Sequence, residues 1–90
     1  MIKHYNITVT GKVQGVWYRK STWQKAEELK IKGYVMNQPN GSVYIEAEGT
    51  ESQLKTLLDW CSKGPEFAIV QQVSFEVSSV CFFENFEILY

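Results

Sequence analysis

The chain has few of the residues that small proteins use as covalent or metal staples. It contains two cysteines, Cys61 and Cys81, and a single histidine, His4. The cysteines are far apart in sequence and have no Cys or His neighbour at zinc-ligand spacing, which argues against a metal site and leaves one disulfide as the only pairing open to them. Charge of one sign is also missing: nine Lys and Arg stand against ten Asp and Glu, leaving a formal charge of −1 with no run of five like charges. That balance disfavours nucleic acid as the main partner, because such binders carry a basic footprint across the domain. No apolar run approaches the roughly 18 residues that a membrane span requires. Met1 to Thr10 alternates polar and apolar residues and lacks the apolar core of a signal peptide. A reduced, cytoplasmic protein with no membrane partner is the expectation.

What the chain does have is apolar surface. Ninety residues, 44% hydrophobic and including three Trp, five Tyr and five Phe, are enough for one core. Two independent domains are excluded, because a shorter stretch could not bury enough apolar area to offset its own chain entropy. The expectation is one domain over residues 1–90 that folds alone as a monomer.

Periodicity divides the chain into elements. Lys3 to Thr10 alternates, with Tyr5, Ile7 and Val9 on one side and His4, Asn6, Thr8 and Thr10 on the other, as in a half-buried strand. Gly11 and Gly15 bracket a loop. Tyr18 to about Ile31 holds good helix formers, with Thr22, Ala26 and Leu29 at helical spacing and Gly33 as the stop. Tyr34-Val35-Met36 predicts a short strand, Pro39-Asn40-Gly41 a turn, and Val43 to Glu48 the second arm of a hairpin. Thr50-Glu51-Ser52-Gln53 has capping-box spacing, and Leu54, Leu57, Leu58 and Cys61 trace the core stripe of a second helix that Lys63-Gly64-Pro65 ends. Val73, Phe75 and Val77 alternate as a further strand, and Phe86 to Tyr90 closes the chain with a short one. The order βαββαβ plus a C-terminal strand predicts an α+β fold of the ferredoxin-like, split βαβ kind, an antiparallel sheet with two helices on one face. That layout hosts many activities, so function has to come from a site.

The segment Gly11-Lys12-Val13-Gln14-Gly15-Val16-Trp17-Tyr18-Arg19 leaves a strand and enters a helix, where backbone N–H groups lack intrahelical partners. Such a junction cradles anions without needing net positive charge, and Arg19 stands where a guanidinium could complete the cradle. It does not fit the nucleotide phosphate-loop pattern, which continues into Gly-Lys-Ser/Thr.

Val13-Gln14-Gly15-Val16-Trp17-Tyr18-Arg19 resembles the acylphosphatase signature V-Q-G-V-x-[FY]-R. Gly33-Tyr34-Val35-Met36-Asn37-Gln38-Pro39-Asn40-Gly41-Ser42-Val43 resembles the second signature of the same family, G-[FYW]-V-x-N-x-x-x-G-x-V, with Gly49 also in place. Gly64-Pro65 through Ala68, Val70 and Val73 is similar to a third, weaker region. The resemblance implies hydrolysis of acyl phosphates to carboxylate and inorganic phosphate, without metal or cofactor. It further implies that Arg19 and the backbone of Gln14, Gly15, Val16, Trp17, Tyr18 and Arg19 bind phosphate, and that Asn37 places the attacking water. Departures are mild: Tyr18 stands where Phe is common, Trp17 occupies a variable position, and Gln38 replaces a hydroxyl residue that supports the Asn in some members.

These residue types suit that reaction. An acyl phosphate expels a carboxylate whose conjugate acid has a pKa of about 4 to 5, so departure needs no general acid. Phosphoryl transfer then demands positioning and charge stabilisation, and a neutral amide orients water beside a dianion that a carboxylate base would repel. Two other functions are compatible with the fold. A non-catalytic domain that binds carbamoyl or acyl phosphate for a larger machine conflicts with the presence of both signature residues. A single-stranded RNA module conflicts with the absence of basic, multi-aromatic strands. His4 is expected at the surface, Glu46 and Glu48 as solvated sheet residues, Cys61 and Tyr18 in the core, and Gly41 and Gly49 in turns. Trp17 is compatible with substrate contact or with packing.

Overall fold

The computed structural model describes Met1–Tyr90 in full. The elements run β1 (Lys3–Lys12), α1 (Tyr18–Leu29), β2 (Lys32–Asn37), β3 (Val43–Gly49), α2 (Glu51–Lys63), β4 (Ile69–Ser78) and β5 (Phe86–Leu89). The five strands form one sheet in the order β4-β1-β3-β2-β5. β1 pairs antiparallel with β3 and β4, and β2 pairs antiparallel with β3, as the ferredoxin-like expectation requires. β5 departs from a purely antiparallel sheet, because it pairs parallel with β2, Gly33 opposite Phe86 through Met36 opposite Leu89.

The alternation in β1 and β3 decides which face is dry. Tyr5, Ile7 and Val9 pair across the strands with Ala47, Ile45 and Val43, and these six join Val35, Ala26, Leu54, Leu57 and Cys61 in the core. The cross-strand pairs thus make one apolar surface on which both helices lie. α2 starts where its sequence says: the Thr50 side chain accepts from the Gln53 N–H while the Gln53 side chain accepts from the Thr50 N–H. That reciprocal cap satisfies two orphan donors. Gly64 ends it, donating to the Trp60 carbonyl.

α1 ends at Leu29, with Lys30 left-handed at φ 61°, and Gly33 is not its stop. Gly33 lies within β2 opposite Ala47, at φ 141°, and a Cβ there would stand 1.8 Å from the backbone oxygen of Glu46. Only glycine lets β2 and β3 approach so closely. Gly41 does sit in the β2–β3 turn, whereas Gly49 is the last residue of β3, buried against the Gln53 side chain.

The other sheet face corrects three expectations. β4 and β5 are opposite edges, so the residues joining them cross the sheet, and they cross the face away from the helices. Phe83 packs on His4 and Tyr34, with ring centroids 5.6 and 5.9 Å apart. His4 is therefore buried rather than at the surface, and so is Glu48. His4 Nδ1 lies 2.7 Å from Glu48 Oε2 and His4 Nε2 lies 2.9 Å from Glu46 Oε1. Glu48 also accepts from the backbone N–H groups of Cys81 and Phe83, which fastens the crossing segment to the sheet. Glu46 is half-buried and accepts from the hydroxyls of Tyr34 and Tyr44. Burial alone would raise both carboxyls, but these hydrogen bonds, with the charge of His4, together hold them below their ordinary range.

Candidate active site

The two helices begin differently, and the difference makes the site. α2 is closed by its capping box, whereas α1 has Trp17 at its N-cap and receives no side-chain cap. The N–H groups of Gln14, Gly15, Val16 and Trp17 donate to no protein acceptor, and those of Tyr18 and Arg19 lie in the first turn, where no helical carbonyl can reach them. Gly15 and Trp17 are both left-handed, at φ 74° and 67°. For a non-glycine residue that conformation costs about 1–2 kcal/mol. The cradle between β1 and α1 is thus a run of unpaired donors at the positive end of a helix.

Asn37 closes the hollow from the sheet. It ends β2, and an open cavity of about 300 Å³ is lined by Val13, Gly15, Trp17, Tyr18, Arg19 and Asn37. Liquid water takes about 30 Å³ per molecule, so a phosphoryl group and an attacking water fit together. The Oδ1 of Asn37 is the one buried side-chain polar atom in the protein without a hydrogen-bond partner. A native fold seldom leaves such an acceptor orphaned, and each exception asks for a reason.

The structure brings most of the predicted site residues together and separates two. Gly15, Trp17, Tyr18, Arg19 and Asn37 share the hollow. The Val16 side chain is in the core, leaving only its backbone in the cradle. The Gln14 side chain turns away and does something sequence reasoning missed. Its Nε2 donates to the carbonyls of Gln38 and Ser42, at 2.8 and 2.9 Å, and so ties the cradle to the turn that follows Asn37. Gln38 in turn accepts from the Ser42 hydroxyl at 2.6 Å. The signal for these contacts was a glutamine amid turn residues, which by itself names no partner.

Arg19 is half-buried and held at one end. Its Nη1 donates to the Leu89 carbonyl at 3.3 Å and its guanidinium lies 4.8 Å from the Tyr90 ring centroid. It makes no ion pair with a carboxylate, so its charge is not neutralised by the protein. Tyr18 is core, as expected, and its hydroxyl donates to the Cys61 carbonyl at 2.7 Å. Burial, reinforced by Cys61, pushes that hydroxyl far above its ordinary range. No carboxylate, histidine, cysteine or lysine lines the hollow. Its chemistry is that of a fixed cation, free amide donors and one orphan acceptor.

The acylphosphatase family model matches residues 5–88. The chain belongs to the acylphosphatase family. An acylphosphatase from Marinobacter nauticus is 53% identical over 73 residues, 81% of this chain and 79% of that one. Another, from Thermotoga maritima, is 45% identical over 89 residues, 99% of each chain. The crystal structure of acylphosphatase from Bacillus subtilis superposes with a TM-score of 0.95 at 35% identity, covering 100% of both chains. The protein is thus an enzyme, a hydrolase of this family. Its first signature, Val13 to Arg19, spans the loop after β1 and enters α1, and its second runs through β2 into β3, so the hollow lies where both meet. No helix is long and apolar enough to cross a membrane.

Proposed function

We propose that the protein hydrolyses acyl phosphates to carboxylate and inorganic phosphate by attack of a water held on Asn37. The orphaned Oδ1 of Asn37, on a residue that lines the same hollow as Arg19 and the cradle, is the observation that carries this reading. The phosphoryl oxygens accept from the backbone N–H groups of Gln14 through Arg19 and from the Arg19 guanidinium. The water donates one O–H to Asn37 Oδ1, which aims its lone pair at phosphorus. As the new P–O bond forms, the P–O bond to the acyl group breaks and its electron pair leaves on the carboxylate. The water's proton ends on the phosphate or in solvent. Catalysis here is positioning and charge stabilisation, which is what a loose phosphoryl transition state requires.

An alcohol phosphate would expel a far more basic oxygen, and no proton donor stands in the hollow to assist it. That restricts the reading to mixed anhydrides. The enzyme works as a monomer in the cytoplasm on this proposal, and its two free cysteines suit a reducing compartment. The test is hydrolysis of benzoyl phosphate by purified protein in the presence of a chelator. Turnover that survives the chelator supports the reading. Absence of turnover, or its restoration only by added metal, overturns it.

A further inference from the structure

We infer that a second hollow, walled by Trp17, Ile88 and Tyr90 beside the phosphoryl site, is an acyl subsite that favours flat aromatic acyl groups. This inference rests on the proposed hydrolysis of acyl phosphates. The second hollow measures about 290 Å³ and is lined by Trp17, Arg19, Lys20, Ile88 and Tyr90. Trp17 and Arg19 are walls of both hollows, whereas Asn37 lines only the first. An acyl phosphate is a two-part molecule. With its phosphoryl group in the cradle, in-line attack keeps the acyl part out of the space used by the water on Asn37. The adjoining space that Asn37 does not line is the second hollow.

Trp17 has no structural duty that explains its ring. It is 76% exposed, stands outside the core and its partly buried neighbours, and stacks on no other aromatic or cation. Its backbone is left-handed, a conformation that glycine adopts without strain. A wide ring is therefore carried at a position that suits glycine better, on the lip between two hollows. Tyr18, next in sequence, is buried, so the pair divides into one core residue and one free face. An indole offers a planar acyl group an offset or edge-on contact. Ile88 and Tyr90 supply apolar surface opposite, and Arg19 is held from this side by the Tyr90 ring and the Leu89 carbonyl.

The test compares kcat/KM for benzoyl phosphate and acetyl phosphate in the wild type, Trp17→Gly and Trp17→Phe. Glycine removes the ring and accepts the left-handed backbone, and phenylalanine restores a ring. The expected result is that Trp17→Gly lowers the benzoyl-to-acetyl ratio by about tenfold, while Trp17→Phe keeps it within about threefold of wild type. Both substrates hydrolysed with a ratio unmoved in Trp17→Gly would overturn the subsite and leave the hydrolase reading standing. Wild-type protein that hydrolyses neither substrate would overturn the hydrolase reading and the subsite with it.

Discussion

Asn37→Ala separates a functional acceptor from a structural one, because the two roles move stability and activity differently. The Oδ1 of Asn37 is buried without a partner in the free protein. An unsatisfied buried polar atom costs about 1–3 kcal/mol, and truncation to alanine removes it. The variant is therefore expected to be at least as stable as wild type. For a domain of 60–100 residues each kcal/mol is worth about 4–8 °C in Tm, so a rise of several degrees is readable by thermal unfolding. Activity should move the other way. Losing the group that orients the nucleophile costs about 10²–10³ in kcat, by analogy with removing one preorganised hydrogen bond or misplacing a reactant by about 1 Å. Inhibition by inorganic phosphate should persist within a few-fold, since the cradle and Arg19 are untouched. Thermal unfolding, benzoyl phosphate turnover and phosphate inhibition on one preparation give all three numbers. A lower Tm together with more than a tenth of wild-type kcat would refute the argument, for Asn37 would then be a structural residue.

Arg19→Lys should lose phosphate inhibition and turnover together, because a point charge cannot keep one nitrogen on the Leu89 carbonyl while gripping phosphate with the rest of the fork. Near-normal kcat/KM in that variant would remove Arg19 from the proposal. Gln14→Ala cuts the tie between the cradle and the turn after Asn37, and kcat is expected to fall about tenfold or more with Tm changed little. A Tm drop with kcat intact would make Gln14 merely structural. Glu48 is held below its ordinary pKa in the folded state, so its contribution to stability is present above the unfolded value of about 4.3 and is lost as pH falls through the lowered folded value. Glu48→Gln should lower Tm at pH 7 and flatten the acid side of the stability curve. Parallel acid profiles for variant and wild type would show that this carboxylate carries no linkage.

The amino-acid order alone determined what repeats locally and what sits next to it in the chain. The alternation in β1 and β3, the Thr50–Gln53 cap and the Leu54-Leu57-Cys61 stripe each record one dry face of one element, so strands, helices and core followed from spacing. Arg19 and Asn37 were legible as candidates because both stand within short, unusual motifs. Tertiary structure decided what distant segments do to one another. It carried residues 79–85 across the polar sheet face, and that burial turned His4 and Glu48 from surface residues into a paired core, which no local pattern encodes. It laid β5 parallel to β2, and so put Leu89 and Tyr90 beside Arg19. It left the buried Oδ1 of Asn37, a residue that lines the hollow, without a hydrogen-bond partner. The reason is the range of the forces: periodicity fixes which side of an element avoids water, but only closure of the whole chain fixes what covers the other side.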